Sequence, residues 1–460
     1  LFILFATNVC SEKIPIITIT APSKKPQSIS TVGTSVTILD EKFLSNSTEH
    51  FLGDALSTSS TSANFFQSGG HGTASAIQLR GLPKRYSTVY IDGVKMSDPS
   101  SVSGDFDFNH ILTSQLSRVE ILKGNQSSVY GSGAIGGTIN ITTKRGQSGN
   151  EKALNFKNGS HGTQNLSLSY SGADEKQNYY FGLERFHTDG VSQMLHNDEK
   201  DRYRNNSLVA NYKRQLSNKF SFESNLRFTD TYLQYDKEVN TATATHNEEE
   251  DSIQSSANIS LLYEPSSKFQ NKITYANTYI KRIYGAAPGS GNTIKDNYYG
   301  DRYALSYLGN YNINLDNSII FGFEREDDKI GYNKDLSGQE DKHNHVTSKF
   351  FDIQSRITNN IYFTFGSRFD EHSVAGNEDS HRTTLAYLFG DKSLKIKSSY
   401  GTGFRFPSLY EMYFVYAANS KSLGNVKAEN SKSFDIGFEK FISNLNINLE
   451  ATYFNLKYDD

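Results

Sequence analysis

The chain has 460 residues, a formal net charge of -3 and one cysteine, with 36% hydrophobic and 13% aromatic content. No broad basic field argues for nucleic acid, and a single thiol excludes an intrachain disulfide framework. Mean hydropathy is -0.57, and no internal run reaches the ~20 apolar residues of a spanning helix. A barrel wall escapes that exclusion, because only every second residue faces lipid. The 28 Tyr and 30 Phe, against 0 Trp, suit the interfacial girdles of such a wall, although Tyr is also common in soluble β-proteins.

Residues 1–6 are apolar and precede Cys10, so residues 1–10 read as the remnant of a secretory leader. Thr7, Asn8 and Val9 make a poor approach to a lipoprotein cysteine. The first residue is Leu, and the natural start is expected to lie upstream. Residues 11–22 hold Ile16, Ile17, Thr18, Ile19, Thr20 and Ala21 between Pro15 and Pro22. An extended β-branched hexamer of this kind can add as a strand to a partner's sheet edge. An ordinary first strand is the other reading.

Residues 23–146 are rich in Ser, Thr and Gly with short mixed elements, as in a compact α+β domain. Phe51, Leu52 and Ala55 stand at helical spacing, and Thr48 is the expected cap. Short strands are predicted at 77–79, 88–91, 119–122 and 138–142. Gly131, Gly133 and Gly136 formally match a dinucleotide fingerprint. That fingerprint needs a helix opening at its third glycine, whereas Thr138, Ile139, Ile141 and Thr142 are β-branched and strand-like. No nucleotide site is expected. The glycines are instead assigned to a tight turn where backbone nears a wall.

From 147 to 460 the pattern is alternation. Phe363, Phe365 and Phe369 alternate with Thr364, Arg368 and Asp370. Phe434, Ile436 and Phe438 alternate with Asp435, Gly437 and Glu439. Period two sends the sets to opposite faces, and the second face is charged, as in a water-lined barrel. Roughly fifteen such segments occur, most near or above the ~9–11 residues of a tilted spanning strand. Short links at 216–219 and 391–392 alternate with long polar ones at 236–251, 285–297 and 331–345. A soluble β-sandwich array would explain the alternation but not this asymmetry. The chain stops inside or just past a strand. An open edge in lipid is prohibitive, so C-terminal strands are expected to be missing.

Several segments resemble the plug of TonB-dependent outer-membrane receptors in order and spacing. They are Leu79-Arg80-Gly81, Val89-Tyr90-Ile91-Asp92-Gly93-Val94, Arg118-Val119-Glu120-Ile121-Leu122-Lys123-Gly124 and YGSGAIGGTINITTKRG at 130–146. Tyr400-Gly401-Thr402-Gly403-Phe404-Arg405-Phe406-Pro407 and Gly424-Asn425-Val426-Lys427-Ala428-Glu429-Asn430 are similar to two barrel motifs of that family. The resemblance implies an all-β transmembrane barrel of the type with about 22 strands, closed around an N-terminal α+β plug. About seven strands would then lie beyond this chain. It also implies that residues 16–21 are the TonB box, that TonB and its inner-membrane energising complex are partners, and that the chain is not an enzyme.

Within the family the chain looks most like cobalamin receptors, with ferric-siderophore receptors as the alternative. That likeness implies ligand contacts at Ala74, Ser75, Ala76, Pro83, Val102 and Ser103 on two plug-apex loops. It implies a calcium site at Glu199, Asp201, Tyr235, Asp236 and Glu248, with Ser192 near the start of the first loop. It also implies plug–barrel contact through Arg80, Lys123 and Asp435. Calcium prefers six to eight oxygens, and the acids read as loop clusters, where solvated loop charge is the other reading. A haem receptor would be expected to carry a histidine in residues 408–423, which hold none. His71 on the first apex loop could ligate iron, but a lone loop histidine is usually solvated. No spacing argues for a hydrolase constellation, and a passive porin would lack both plug and hexamer.

Overall fold

The computed structural model describes residues 18–19, 23–59, 63–192, 200–236, 247–286, 295–333, 340–390, 393–416, 427–442, 445 and 447–459. The N-terminal part contains β1 (Thr18–Ile19), β2 (Gln27–Ser28), β3 (Val36–Leu39), α1 (Glu41–Asn46), α2 (Leu52–Ser59), β4 (Ala63–Gln67), β5 (Ser75–Leu79), β6 (Ser87–Ile91), β7 (Val94–Lys95), β8 (Leu116–Lys123), α3 (Ser127–Tyr130) and β9 (Gly137–Thr143). Its main sheet runs β3-β8-β9-β6-β7. Leu52, Leu56, Ile77, Val119, Ile121 and Ile139 lie in a core built wholly from this part of the chain.

The strands expected at 77–79, 88–91, 119–122 and 138–142 fall inside β5, β6, β8 and β9. The expected helix starts later than its cap residue suggests. Phe51 forms a β-bridge with Leu112, and Leu52 N donates to Ile111 O at 2.9 Å. These tertiary bonds take the residues that would have made the first turn. Thr48 therefore lies outside α2, which starts at Leu52, and Asp40 caps the separate α1 by accepting from Phe43 N at 2.8 Å.

The remaining strands are β10 (Gly149–Asn158), β11 (Gln164–Ala173), β12 (Gln177–Thr188), β13 (Tyr203–Gln215), β14 (Phe220–Asp236), β15 (Asn247–Ser266), β16 (Phe269–Ala286), β17 (Lys295–Asn312), β18 (Asn317–Asn333), β19 (Glu340–Arg356), β20 (Ile361–His372), β21 (Gly376–Leu388), β22 (Leu394–Arg405), β23 (Glu429–Ile442) and β24 (Ile447–Asp459). They form one sheet of 15 strands in sequence order. Each strand pairs antiparallel with the next, as in β13 to β14 and β17 to β18.

This sheet is inverted relative to a soluble protein. On β15 the inward Ser252, Gln254, Ser256 and Asn258 are 3–4% exposed, while the outward Ile259 and Leu261 are 54% and 42% exposed. On β23 the inward Asp435 is 3% exposed, while Phe434, Ile436 and Phe438 exceed 40%. Large apolar side chains on the accessible face need a lipid solvent. Among the described residues no helix is long and apolar enough to cross a membrane; the strands do the crossing.

The long polar links are shorter than their composition suggests. β14 continues to Asp236 and β15 begins at Asn247, so Glu248, Glu249, Glu250 and Asp251 lie on a strand and not on a loop. β16 with β17, and β18 with β19, extend in the same way into 285–297 and 331–345. Beyond the bilayer a ladder needs no apolar face, so polar composition marks loss of lipid contact, not loss of pairing. The short link at 391–392 lies outside the described residues, as do residues 1–10.

Candidate ligand site and plug anchorage

The N-terminal domain fills the lumen, and its loops at 69–74 and 97–105 point to the end with the long links. Gly72 carries a positive φ of 87°, and a Cβ there would lie 2.3 Å from the Tyr203 ring at the start of β13. Ser408 Oγ, at the start of the link after β22, donates to Val102 O at 2.7 Å. Arg282 on β16 pairs with Asp98 at 3.0 Å and donates to Ser100 Oγ at 3.1 Å. Arg302 on β17 grips Asp328 with two bonds of 2.7 Å and reaches Ser97 O at 3.2 Å. The second apex loop is thus held across several strands by charged groups.

Among the six residues expected to meet ligand, Val102 is 56% exposed at its loop tip. Ala74 is exposed, and Ala76, Pro83 and Ser103 are half-buried. Ser75 is different. It is 3% exposed, its hydroxyl donates to Asp107, and Phe108 N donates back to it at 3.1 Å. Its side chain therefore locks the loop. Asp107 also accepts from Ser75 N at 3.1 Å, although burial pushes its carboxyl above the usual range. His71 is exposed, with its ring 5.1 Å from Phe51 and 5.5 Å from Phe186.

Arg80 and Asp435 meet in a bidentate pair at 2.9 and 3.0 Å, with side chains 6% and 5% exposed. The Arg80 guanidinium also lies 4.4 Å from the Phe454 ring centroid. Gly124, at φ 83°, leaves room for the pair, since a Cβ there would sit 3.1 Å from Asp435 Oδ2. Burial lowers the pKa of the Lys123 ammonium, Glu450 opposes that, and Arg80 and Lys397 add to it. The glycine turn serves as expected. Gly133 N donates to Phe404 O at 2.9 Å, and a Cβ on Gly131 would sit 3.0 Å from the Arg368 guanidinium.

Arg368 was not legible as a functional residue. It is 3% exposed, pairs with Asp370 at 2.9 Å and Glu324 at 3.4 Å, and donates to Val129 O at 3.3 Å. Arg405 likewise pairs with Glu411 at 2.9 Å and Glu429 at 2.6 Å. A lone arginine on the charged face of a strand is the signal that could have found both.

At the opposite end, Lys25 Nζ donates to Asn312 Oδ1 at 2.9 Å, beside the short turn after β17. Thr18 and Ile19 pair with Ser28 and Gln27; Ile16, Ile17, Thr20 and Ala21 lie outside the described residues. A lumen cavity of about 450 Å³ separates β7 and β9 from β14 to β19, crossed by Lys24–Glu324 at 3.2 Å and Lys95–Glu326 at 2.9 Å. On the outer rim, register sets Tyr235 opposite Glu248 and Asp236 opposite Asn247, with Asp201 just before β13. Glu199 lies outside the described residues. Among the described residues no cluster of three or more His, Cys, Asp or Glu is arranged to hold a metal.

Comparison with known proteins matches residues 28–138 to the TonB-dependent Receptor Plug Domain and residues 153–460 to the TonB dependent receptor-like β-barrel. The chain belongs to the TonB-dependent receptors. It is an outer-membrane protein, with a plug inside a barrel wall. A curated relative, the vitamin B12 transporter BtuB of Vibrio cholerae, is 25% identical over 393 residues, which is 84% of this chain and 61% of the relative. BtuB of Photobacterium profundum is 25% identical over 373 residues, covering 80% and 58%. This receptor chain thus spans about three-fifths of the length of the curated relatives it matches. Among solved structures, the siderophore receptor PirA of Acinetobacter baumannii matches with a TM-score of 0.76 at 16% identity, covering 94% of this chain and 71% of that one. The ferric enterobactin receptor PfeA of Pseudomonas aeruginosa gives 0.77 at 16% identity, covering 92% and 71%. At that identity the likeness shows the fold alone.

Two expected outcomes follow for anchorage. Removing one side of the buried Arg80–Asp435 pair costs about 3–5 kcal/mol. Asp435→Ala should therefore lower the thermal transition of the plug and expose it to protease, with Arg80→Ala doing the same and the double variant little worse; unchanged melting of both single variants would remove the pair as an anchor. His110 is 3% exposed, and its Nδ1 lies 2.8 Å from Tyr203 OH. Burial, helped by Arg227, depresses its pKa from 6.5 to about 3. The unfolded chain then binds the extra proton between those values, so stability is full above the unfolded pKa and falls as pH drops through it. Each pH unit lost in that window costs up to about 1.4 kcal/mol. His110→Gln should flatten the melting temperature between pH 7 and pH 5; a slope as steep as the parent's would assign it to other groups.

Proposed function

We propose that this receptor carries cobalamin across the outer membrane, driven by TonB from the periplasmic side. The observation that carries the reading is the combination of a lumen-filling plug with 25% identity to vitamin B12 transporters over 84% of the chain. The plug fills the lumen, so it must move or rearrange for a ligand to pass, and that is the work this reading assigns to TonB. Residues 23–31 lie at the short-turn end, anchored by Lys25 to Asn312 and by Lys395 Nζ to Ile29 O at 3.1 Å. The reading is supported by residues 23–31 lying at the short-turn end, next in sequence to residues 16–21. A ferric siderophore is the second ligand class, because solved siderophore receptors share this fold.

Deleting residues 16–21 should leave ligand binding within a few-fold but abolish uptake into cells under cobalamin or iron limitation. Normal uptake would remove TonB coupling through this segment. Rescue by cobalamin alone, or by a ferric siderophore alone, assigns the ligand.

Calcium is part of the same proposal. Glu199, Asp201, Tyr235, Asp236 and Glu248 would hold it at the rim, and the pairing of Tyr235 with Glu248 supports a shared site. Cation and ligand would then favour the same ordered rim, a coupling of ~1–3 kcal/mol or about 5–150-fold in affinity. Asp201→Ala with Asp236→Ala should erase that calcium dependence in purified receptor. Tight binding indifferent to calcium and chelator leaves these acids without the role.

A further inference from the structure

Among the described residues the wall meets the plug in two different ways. Along β20 to β23 the fit is close. The segment 124–134 joins β8 to β9, two interior strands of the plug sheet, and docks on this sector. Asn125 Nδ2 donates to Gly401 O at 2.9 Å, and Ser431 Oγ donates to Asn125 Oδ1 at 3.1 Å. Phe406 N donates to Ser132 Oγ at 2.9 Å, and Arg382 donates to Gln126 Oε1. Two wall glycines permit the approach. A Cβ on Gly401 would lie 3.2 Å from Asn125 Cβ, and one on Gly403 would lie 3.0 Å from Ser127 Oγ. Arg80 with Asp435 and Arg368 with Val129 O belong to the same sector.

Along β14 to β19 the cavity of about 450 Å³ intervenes. Lys272, Thr274, Ala276 and Thr278 follow one another along the inward face of β16, with Ser306 and Ala304 beside them on β17. At ~3.3 Å per residue these positions cover about 20 Å of strand. Lys272 is three residues from the start of β16 at the short-turn end. The small side chains of Ala276, Ala304 and Ser306 set the wall back from the plug. Contact returns at the upper end of the cavity. There Thr278 Oγ1 donates to Lys95 O at 2.8 Å, and Lys95 Nζ pairs with Glu326 at 2.9 Å. Lys95 stands on β7, the edge strand of the plug sheet.

We propose that this cavity is the lower stretch of the ligand's path through the lumen, closed from above by Lys95, and that segment 124–134 stays docked on β20 to β23 while the path is open. The inference rests on the transport reading and deepens it by choosing a side of the plug. Opening along β14 to β19 parts Lys95 from Glu326 and from Thr278, contacts made by one residue of an edge strand. Opening along β20 to β23 would undo the buried Arg80 and Arg368 contacts together with the hydrogen bonds of Asn125, Gln126 and Ser132, on a segment tied to two interior strands. The void already lies on the side where fewer contacts must part, and it runs toward the short-turn end.

The test uses the full-length receptor with Cys10→Ser, expressed in a receptor-deleted strain and supplied with labelled cyanocobalamin or, separately, a labelled ferric tris-catecholate. One variant carries Lys95→Cys with Thr278→Cys, and another Asn125→Cys with Gly401→Cys. Each pair is joined by a short thiol-reactive linker, joining is scored by gel mobility, and each receptor is compared with its own unjoined form. A third variant, Ala276→Phe with Ala304→Phe, fills the cavity without touching segment 124–134. Joining 95 to 278 should abolish uptake of whichever probe the parent carries, while surface binding of that probe persists. Joining 125 to 401 should leave uptake undiminished. The filled cavity should also lose uptake and keep binding; if the two phenylalanines prevent folding, the joined pairs decide. Uptake that persists with 95 joined to 278 overturns the path. Uptake lost with 125 joined to 401 overturns the fixed dock. Failure of the unsubstituted receptor to take up either probe overturns the transport reading and the path with it.

Discussion

Every part of this structure depends on where backbone polar groups find partners in a membrane. Lipid offers none, so the crossing strands must bond to one another along their whole length. The ladder does this through fifteen strands in sequence order, and the side chains then sort by solvent. Apolar residues take the lipid, and Ser, Asn, Gln, Arg and Asp take the lumen. A domain filling such a lumen must meet a wall of hydrogen-bonding groups, and the plug does so by charge and backbone. Arg80 binds Asp435, Arg368 binds Val129 O, and Asn258 Nδ2 binds Asp92 O at 2.8 Å.

The strand count and the two faces were legible because period two is a local property, visible within one strand. The roughly fifteen alternating segments correspond to a sheet of fifteen strands among the described residues. Where strands end was not legible. Glu248 and Asp251 look like loop residues because nothing apolar accompanies them, yet they stay on the ladder above the bilayer. The start of α2 failed for a related reason: Thr48 has the right chemistry for a cap, but Phe51 and Leu52 bond to Leu112 and Ile111, which local spacing cannot show.

The site divides the same way. Arg80 with Asp435 came from family resemblance, and the two lie 355 positions apart; no local pattern joins them. Arg368 gives even less signal, because its partners come from three strands and a plug carbonyl. Ser75 sits among residues expected to meet ligand but spends its hydroxyl on Asp107. Sequence position locates a loop; which atoms of that loop remain available depends on the neighbours the fold brings in.

The plug's own cohesion is of another kind from its attachment. Its core contains only residues of the N-terminal domain, so the domain does not borrow apolar surface from the wall to stay folded. One apolar patch does cross the boundary, where Phe51 and Leu112 meet Phe186, Tyr203 and Leu233. Among the described residues the boundary elsewhere is mostly hydrogen bonds and ion pairs, with Tyr86 against Tyr458 at 5.4 Å and Arg80 over Phe454 as further ring contacts. Water can replace a hydrogen bond at a net cost of only about 0.5–1.5 kcal/mol, whereas exposing apolar area costs roughly 25 cal/mol per Å² with no substitute partner. A polar boundary can therefore be exchanged for water bond by bond, while the apolar core resists as a unit. The aromatic patch at Phe51, the buried Arg80 pair and the buried Arg368 bond to Val129 O are places where such stepwise exchange costs more.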